Sequence, residues 1–281
     1  KAGNRILLKG GKESYHTNSF LTQLWQQALD KTDIDTHYVQ YLHLTREETQ
    51  RLIKENTHHV DLIIPRGGEN LIRFIQENTT IPTIISGRGN NFLYVDKNCN
   101  FEMGIRIILN GKKRISVCNA LDKVLIDENL PNIQEKINQL VSALKSNGIE
   151  VLGNSSVCGL HEEIVEVNDE KVLYEEFLAP KIFLSLVPDI TEAIRLINTY
   201  SGKHSATIVT NEFSQATHFM QEVDCAAVYH NASTRFTDGG EFGLGAEIAI
   251  STQKLHFRGP IGAEQLVTNK WFVYGNGHIR E

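Results

Sequence analysis

The chain has 281 residues, 41% of them hydrophobic and 22% charged, and its net charge is −6. This composition describes a globular protein of about two domains, with no basic block to favour nucleic acid and no apolar run long enough to span a membrane. Its four cysteines are widely spread without a CxxC pair, so we expect no disulfide framework, no metal site and a reducing, cytoplasmic location.

Residues 1–95 alternate between strand and helix patterns. Apolar periodicity, helix caps and turn residues predict strands at 5–9, 37–42, 60–64 and 81–85 and helices at about 18–29, 45–56 and 69–78. Such alternation predicts a parallel, doubly wound α/β sheet with right-handed crossovers.

Glycines follow three of these predicted strands, at Gly10-Gly11, Gly67-Gly68 and Gly87-Arg88-Gly89. Glycine lets the backbone approach a phosphate closely, and a following helix N-terminus favours negative charge. Each pair alone is more simply explained as a tight turn, because none is a GxGxxG fingerprint. Three pairs at one edge of a sheet favour a nucleotide, which Lys9 and Lys12 could meet at a ribose or a phosphate.

The second half repeats the alternation with different residues. Strands are predicted at 123–126, 150–152, 182–186, 206–209 and 226–231, and helices at 101–109, 133–146, 190–200 and 214–223. We therefore expect a second α/β domain over residues 96–265.

Cys118 lies between the basic stretch 112–114 and a short apolar strand. It is either a thiol at the mouth of a cleft, made nucleophilic by nearby cations that lower its pKa, or a buried and inert cysteine. Farther along, Arg235 stands in the polar stretch 231–240, where its planar guanidinium suits a carboxylate or a phosphate. A surface arginine that caps carbonyl groups explains the same pattern.

Several motifs carry a family resemblance, and the longest of them are Val60-Asp-Leu-Ile-Ile-Pro-Arg-Gly-Gly68, Val117-Cys-Asn-Ala-Leu121 and Tyr229-His-Asn-Ala-Ser-Thr-Arg-Phe-Thr-Asp-Gly-Gly240. With 242–247, 250–256 and 258–260 they resemble gamma-glutamyl phosphate reductase, also called glutamate-5-semialdehyde dehydrogenase, of the aldehyde dehydrogenase superfamily. The resemblance runs from residue 1 to about 280 and is loose over 130–172. Because that family's proteins are longer at the front, we expect the N-terminal portion to be missing.

The resemblance implies an aldehyde dehydrogenase-like fold. Residues 1–95 would form an incomplete Rossmann-type cofactor domain, 96–265 the catalytic domain and 266–281 a C-terminal strand that joins subunits into a homo-oligomer.

The resemblance also implies a reaction. The Cys118 thiolate would attack the acyl carbon of L-glutamyl 5-phosphate and expel phosphate, and NADPH would reduce the thioester to L-glutamate 5-semialdehyde in the second step of proline biosynthesis. The backbone N–H of Cys118 and the Asn119 region would stabilise the oxyanion. Where related hydrolytic enzymes keep a glutamate base, near 85–87, this chain has none, which fits a reductase. Glutamate 5-kinase is the implied functional partner.

Further positions carry over from the family. The cofactor would be held by Lys9, Gly10, Gly11, Pro65, Arg66, Gly67, Gly68 and Glu176, the last at the nicotinamide ribose. The substrate pocket would be lined by Asn231, Ser233, Thr234 and Arg235, with Arg235 as the anion partner.

Two segments depart from the family pattern. Asn91 and Phe92 stand where the family usually has a cysteine and a histidine, and Asp122-Lys123 replaces the usual Glu-Thr. Together with the missing N-terminal portion, the change at Asn91 and Phe92 leaves a second hypothesis open, a catalytically impaired fragment of the same fold that binds nucleotide or serves as a scaffold.

Overall fold

The computed structural model describes residues 2–280 and divides them into two compact units. The first unit holds the residues up to 63, those from 67 to 83 and those from 262 onward, and the second holds 64–66 and 84–261. Residues 84–95, which the sequence assigns to the first domain, belong to the second unit because they carry a strand of its sheet.

Two short parallel strands and three helices make up the first unit. Strand β1 (Ile6–Leu8) pairs with β2 (Val39–Tyr41). The helices are α1 (Tyr15–Asp30), α2 (Arg46–Glu55) and α3 (Glu69–Asn78). The predicted capping box is present, since the Glu48 N–H donates to Thr45 Oγ1 and the Thr45 N–H donates to the Glu48 carboxylate.

The predicted strands 60–64 and 81–85 are not strands in the structure. Only one parallel bridge, between Ile63 and Thr83, joins these segments, with one hydrogen bond from the Ile63 N–H to the Pro82 carbonyl. Ile84 and Ile85 are nevertheless buried. The apolar pattern reports burial correctly, but an extended loop satisfies it as well as a strand does.

The second unit is built on a seven-stranded parallel sheet with the strand order β6-β5-β7-β4-β3-β8-β9. Its strands are β3 (Asn91–Val95), β4 (Leu121–Asp127), β5 (Glu150–Gly153), β6 (Val165–Glu166), β7 (Lys181–Val187), β8 (Ser205–Val209) and β9 (Ala227–His230). The helices are α4 (Phe101–Lys112), α5 (Ile133–Ser146), the short α6 (Ser155–Cys158), α7 (Ile190–Tyr200) and α8 (Phe213–Glu222). The strands and helices predicted here are confirmed with shifted ends, whereas β3, β6 and α6 were not predicted.

Apolar layers cover both faces of this sheet. Along β3, Leu93 and Val95 pack into the layer that contains residues of α4 and α5, and Phe92 and Tyr94 pack into the layer that contains residues of α7 and α8. Every residue of β3 and β4 is buried. The centre of the sheet is therefore a rigid frame for the turns that precede its strands.

An antiparallel pair, β10 (Ala249–Ser251) and β11 (Gly259–Ile261), completes the second unit. Beyond the short turn at Glu264–Leu266, the tail described by the structure contains no strand, so the predicted C-terminal strand is not formed in the single chain. Within residues 2–280, no helix has the length and apolar character needed to cross a membrane.

Candidate active site

Cys118 lies in a tight turn between α4 and β4, at the amino end of the central strands. The turn is closed by a hydrogen bond of 3.0 Å from the Ala120 N–H to the Val117 carbonyl. The thiol is half-buried. Within the described chain, no other residue accepts a hydrogen bond from the backbone N–H of Cys118 or Asn119, so both groups are available to an oxyanion.

Two residues at the start of β3 hold this turn. Asn91 Nδ2 donates to the carbonyls of Cys118 (2.8 Å) and Ala120 (2.6 Å), while Asn91 Oδ1 accepts the Ser205 N–H at 3.0 Å. Gly89 packs directly on the turn, because a Cβ at this position would lie 2.5 Å from the Cα and 2.6 Å from the carbonyl carbon of Cys118. The departure at position 91 thus has a structural role, which the sequence did not indicate.

The Asn119 side chain is already committed to other groups. Its Nδ2 donates to the carbonyls of Arg235 (3.2 Å) and Thr237 (3.0 Å), and its Oδ1 accepts a hydrogen bond from the Arg235 guanidinium. Thr234 Oγ1 donates to the Asn119 carbonyl at 2.8 Å. Asn119 therefore positions the turn at Thr234–Phe236 against the cysteine, and only its backbone N–H remains for an oxyanion.

Of the two alternatives for Cys118, the one in which the basic stretch lowers the thiol pKa is not supported by the structure. Burial raises the pKa of the Cys118 thiol, the carboxylates of Glu247 and Glu176 raise it further, and its own backbone N–H and Arg66 only partly oppose these effects. Lys112, from the basic stretch, is buried and paired with Asp122, with 2.5 Å between Nζ and Oδ1.

Two carboxylates thus act on the thiol although no glutamate lies near 85–87. Glu247 accepts the Gly239 N–H at 2.9 Å. Burial raises the pKa of both Glu247 and Glu176. Glu247 lies in the 242–247 motif but was given no role from the sequence, because nothing in the local pattern places it beside position 118.

We expect alkylation of Cys118 to be slow near neutral pH and to accelerate at alkaline pH, because only the thiolate reacts. Glu247→Gln removes a nearby negative charge, so it should lower the thiol pKa and speed labelling near neutral pH. Peptide mapping after iodoacetamide treatment measures this rate, with the surface variant Glu222→Gln as control. Equal rates in Glu247→Gln and wild type would contradict the proposed charge effect.

The four predicted substrate residues have different environments. Asn231 exchanges hydrogen bonds with the Thr210 backbone, Ser233 Oγ accepts the Arg235 N–H, and Thr234 is bonded to Asn119. Arg235 differs, since it lines a cavity of about 460 Å³. The cavity is also lined by Asn110, Lys113, Arg114, Phe236 and Glu241. Its three cations make this cavity suitable for an anion.

The predicted cofactor residues are divided between the units. Pro65, Arg66 and Glu176 lie in the second unit, where Arg66 and Glu176 both act electrostatically on Cys118. The Glu176 carboxylate accepts the backbone N–H of Gly89, which is also the residue that packs on the cysteine turn.

The remaining cofactor residues lie in the first unit, in two glycine turns. Lys9 Nζ donates to the Gly10 carbonyl at 2.6 Å, and Gly10 and Gly11 lead into α1. Gly67 and Gly68 precede α3, and a Cβ added to Gly68 would meet nothing within 4 Å. The α3 N-terminus is thus open to an anion on the Gly68 side.

Comparison with known proteins identifies the family. Residues 164–245 match the model of the aldehyde dehydrogenase family. Over 281 residues the chain is 42% identical to gamma-glutamyl phosphate reductase of Clostridium botulinum, covering all of this chain and 67% of that protein. The chain belongs to the gamma-glutamyl phosphate reductase family.

Solved structures agree with this family. The crystal structure of gamma-glutamyl phosphate reductase from Thermotoga maritima is 38% identical with a TM-score of 0.93, covering 99% of this chain and 67% of that one. An acetylating aldehyde dehydrogenase from Geobacillus thermoglucosidasius, 16% identical with a TM-score of 0.74, covers 99% of this chain and 70% of that one and shares the fold. The predicted reductase family, and the aldehyde dehydrogenase-like α/β fold of this superfamily of oxidoreductases, are confirmed.

Proposed function

We propose that this protein reduces L-glutamyl 5-phosphate to L-glutamate 5-semialdehyde and phosphate through a thioester on Cys118. Family membership supports the reaction. The position of Cys118 is the observation that assigns the reaction to particular atoms of this chain. Its thiol is half-buried in a turn where the backbone N–H groups of Cys118 and Asn119 donate to no other residue, and Asn119 links that turn to Arg235 at the cation-lined cavity.

In the first step, the Cys118 thiolate attacks the acyl carbon and phosphate leaves with the electrons of the acyl–oxygen bond. The backbone N–H groups of Cys118 and Asn119 stabilise the negative oxygen of the tetrahedral species. Arg235, with Lys113 and Arg114, binds an anionic group of the substrate. Because the pKa of the free thiol is raised, only a small fraction is thiolate near neutral pH, and the rate of this attack should rise at alkaline pH.

Residues within each unit suit separate parts of a nicotinamide dinucleotide. The Gly67-Gly68 turn before α3 suits a pyrophosphate, the Lys9–Gly11 turn suits the adenosine ribose, and Glu176 suits the nicotinamide ribose. When bound, NADPH supplies the hydride that reduces the thioester. Collapse of the resulting hemithioacetal returns the thiolate and releases the aldehyde. Burial raises the pKa of the Glu247 and Glu176 carboxylates, and when ionised both disfavour the thiolate of Cys118.

The reverse reaction tests this proposal. We expect L-glutamate 5-semialdehyde, inorganic phosphate and NADP⁺ to yield NADPH, detected by its absorbance, and omission of phosphate to stop the reaction. NAD⁺ in place of NADP⁺ tests the cofactor preference. NADPH formation that does not depend on phosphate would refute the acyl-phosphate reaction.

The departure from the family pattern at Asn91 and Phe92 leaves a second candidate, a nucleotide-binding or scaffold protein of this fold that is catalytically impaired. It predicts NADPH binding without turnover at any phosphate concentration. The same assay, combined with an NADPH titration, separates the two candidates.

The same proposal implies a functional partner, a cellular location and an oligomeric state. Glutamate 5-kinase would supply the acyl phosphate, within proline biosynthesis, and the four free cysteines suit a reducing cytoplasm. A homo-oligomer is supported by the tail, where Trp271, Val273 and Tyr274 are 88–92% exposed in the single chain.

A further inference from the structure

A buried charged cluster in the second unit has no part in the chemistry proposed above. It consists of Lys112, Asp122 and Lys123, which are 2%, 1% and 0% exposed. The Lys112 ammonium pairs with one oxygen of Asp122, and the other oxygen accepts the Phe177 N–H at 3.0 Å. The charges of Asp122 and Lys112 are therefore paired with each other. The buried Lys123 ammonium needs other hydrogen-bond partners.

Lys123 finds those partners in two separate segments. Its Nζ donates to Asn90 Oδ1 at 3.0 Å and to the Glu175 carbonyl at 2.7 Å. The same ammonium lies 3.8 Å from the centre of the Phe177 ring. One side chain on β4 thus holds the segment before β3 and the segment before β7.

These two segments carry the groups closest to the reaction. Asn90 follows Gly89, whose backbone packs on Cys118 and whose N–H binds the Glu176 carboxylate. Glu175 and Phe177 directly flank Glu176. Lys123 therefore fixes Glu175 and Phe177, the two chain neighbours of Glu176. It also fixes Asn90, which is next to Gly89, the residue that donates to the Glu176 carboxylate.

We propose that Lys123 is a positioning residue that fixes the Glu176 carboxylate relative to Cys118 and so sets the affinity of the site for the nicotinamide ribose. This inference rests on the proposed function, which assigns Glu176 to that ribose. Lys123 acts through Glu176 and does not touch the substrate.

The charge state of Lys123 is secondary to this role. Burial lowers the pKa of Lys123 to about 7, with Asp122, Glu175 and Glu176 opposing the shift and Lys112 adding to it. A neutral amine still has two N–H groups for Asn90 and the Glu175 carbonyl. The two hydrogen bonds therefore persist on both sides of that pH, whereas the cation–π contact with Phe177 requires the charged ammonium.

Lys123→Met tests the proposal, because methionine keeps an apolar stem over Phe177 and removes both donors. We expect roughly tenfold weaker NADPH binding in a fluorescence titration, since small displacements of a binding group have large effects. The KM for semialdehyde should stay unchanged. Lys145→Met on α5, where the ammonium is partly exposed, is the matched control and should bind NADPH like wild type.

A double-mutant cycle with Glu176→Gln separates positioning from general loosening of the fold. If Lys123 acts through Glu176, Lys123→Met should change NADPH affinity much less in the Glu176→Gln background. Wild-type affinity in Lys123→Met, or the same loss in both backgrounds, would overturn the proposal.

Two further outcomes are informative. If thermal melting shows that Lys123→Met does not fold, Phe177→Leu removes the ring face and should weaken NADPH binding in the same direction, and wild-type affinity there would overturn the role of Lys123. A wild-type protein that neither binds NADPH nor turns over would instead refute the proposed function. Normal binding and turnover in wild type, with an unaffected Lys123→Met, would refute only the positioning role.

Discussion

Cys118→Ala is expected to reduce phosphate-dependent NADPH formation by roughly four orders of magnitude or more, as the loss of a covalent nucleophile does in other enzymes. The fold should be retained. The cysteine turn is held by the backbone carbonyls that Asn91 binds and by the Asn119 side chain, and none of these contacts uses the sulfur atom.

Steady-state kinetics, thermal melting and NADPH titration together check this result. Cys158→Ala is the matched control, because that half-buried thiol lies on α6 and only approaches the Gly153 carbonyl. We expect the control to keep full activity and both variants to bind NADPH normally. Activity within tenfold of wild type in Cys118→Ala would remove this thiol from the mechanism.

Gly89→Ala is expected to lower kcat by about two orders of magnitude, without any change to a reacting group. The added methyl group would lie 2.5 Å from the Cα of Cys118, a distance that carbon atoms in proteins do not adopt. Because backbone lies on both sides, the turn itself must move, and a shift of about 1 Å at a reacting atom can cost this much.

Gly104→Ala is the control for this substitution. Gly104 is also buried, but it lies inside α4 and its added methyl group would lie 3.6 Å from Val209 Cγ1, an ordinary contact. Alanine is favoured over glycine in a helix by about 0.5–1 kcal/mol, so this variant should melt no lower than wild type. Similar activities in the two variants would show that the approach of Gly89 to the turn is not critical.

Local patterns in the sequence predict the helices of both units, except the short α6, and most strands of the second unit. The Thr45 capping box and the amphipathic face of α7 are examples, because their interactions lie within four residues along the chain. β3 was not predicted, although the equally buried β4 was, because its short run Asn91–Val95 follows the turn residues 87–90 and has no alternation that separates a strand from a loop. The opposite error occurs at 60–64 and 81–85. These apolar runs were predicted as strands but do not pair as strands.

Motif resemblance identifies Cys118, but it does not predict the environment of its thiol. Lys112 is near Cys118 in sequence yet turns into a buried pair, whereas Glu247 and Arg66 are distant in sequence and act on the sulfur. Electrostatic effects depend on distances in space, which spacing along the chain does not give. Spacing along the chain also does not reveal the partners of Asn231 and Thr234. Their side chains hydrogen-bond to backbone carbonyls of this chain.

The order of the strands in the second unit has a consequence for how the protein is made. β3 lies between β4 and β8, and Asn91 bonds to Ser205, 114 residues later in the chain. During synthesis, one edge of β3 stays apolar and unpaired until β8 has left the ribosome. Such an unpaired apolar edge favours slow folding and transient aggregation. The nascent polypeptide therefore acquires its finished cysteine turn late, and chaperones should bind it before residue 205 has emerged.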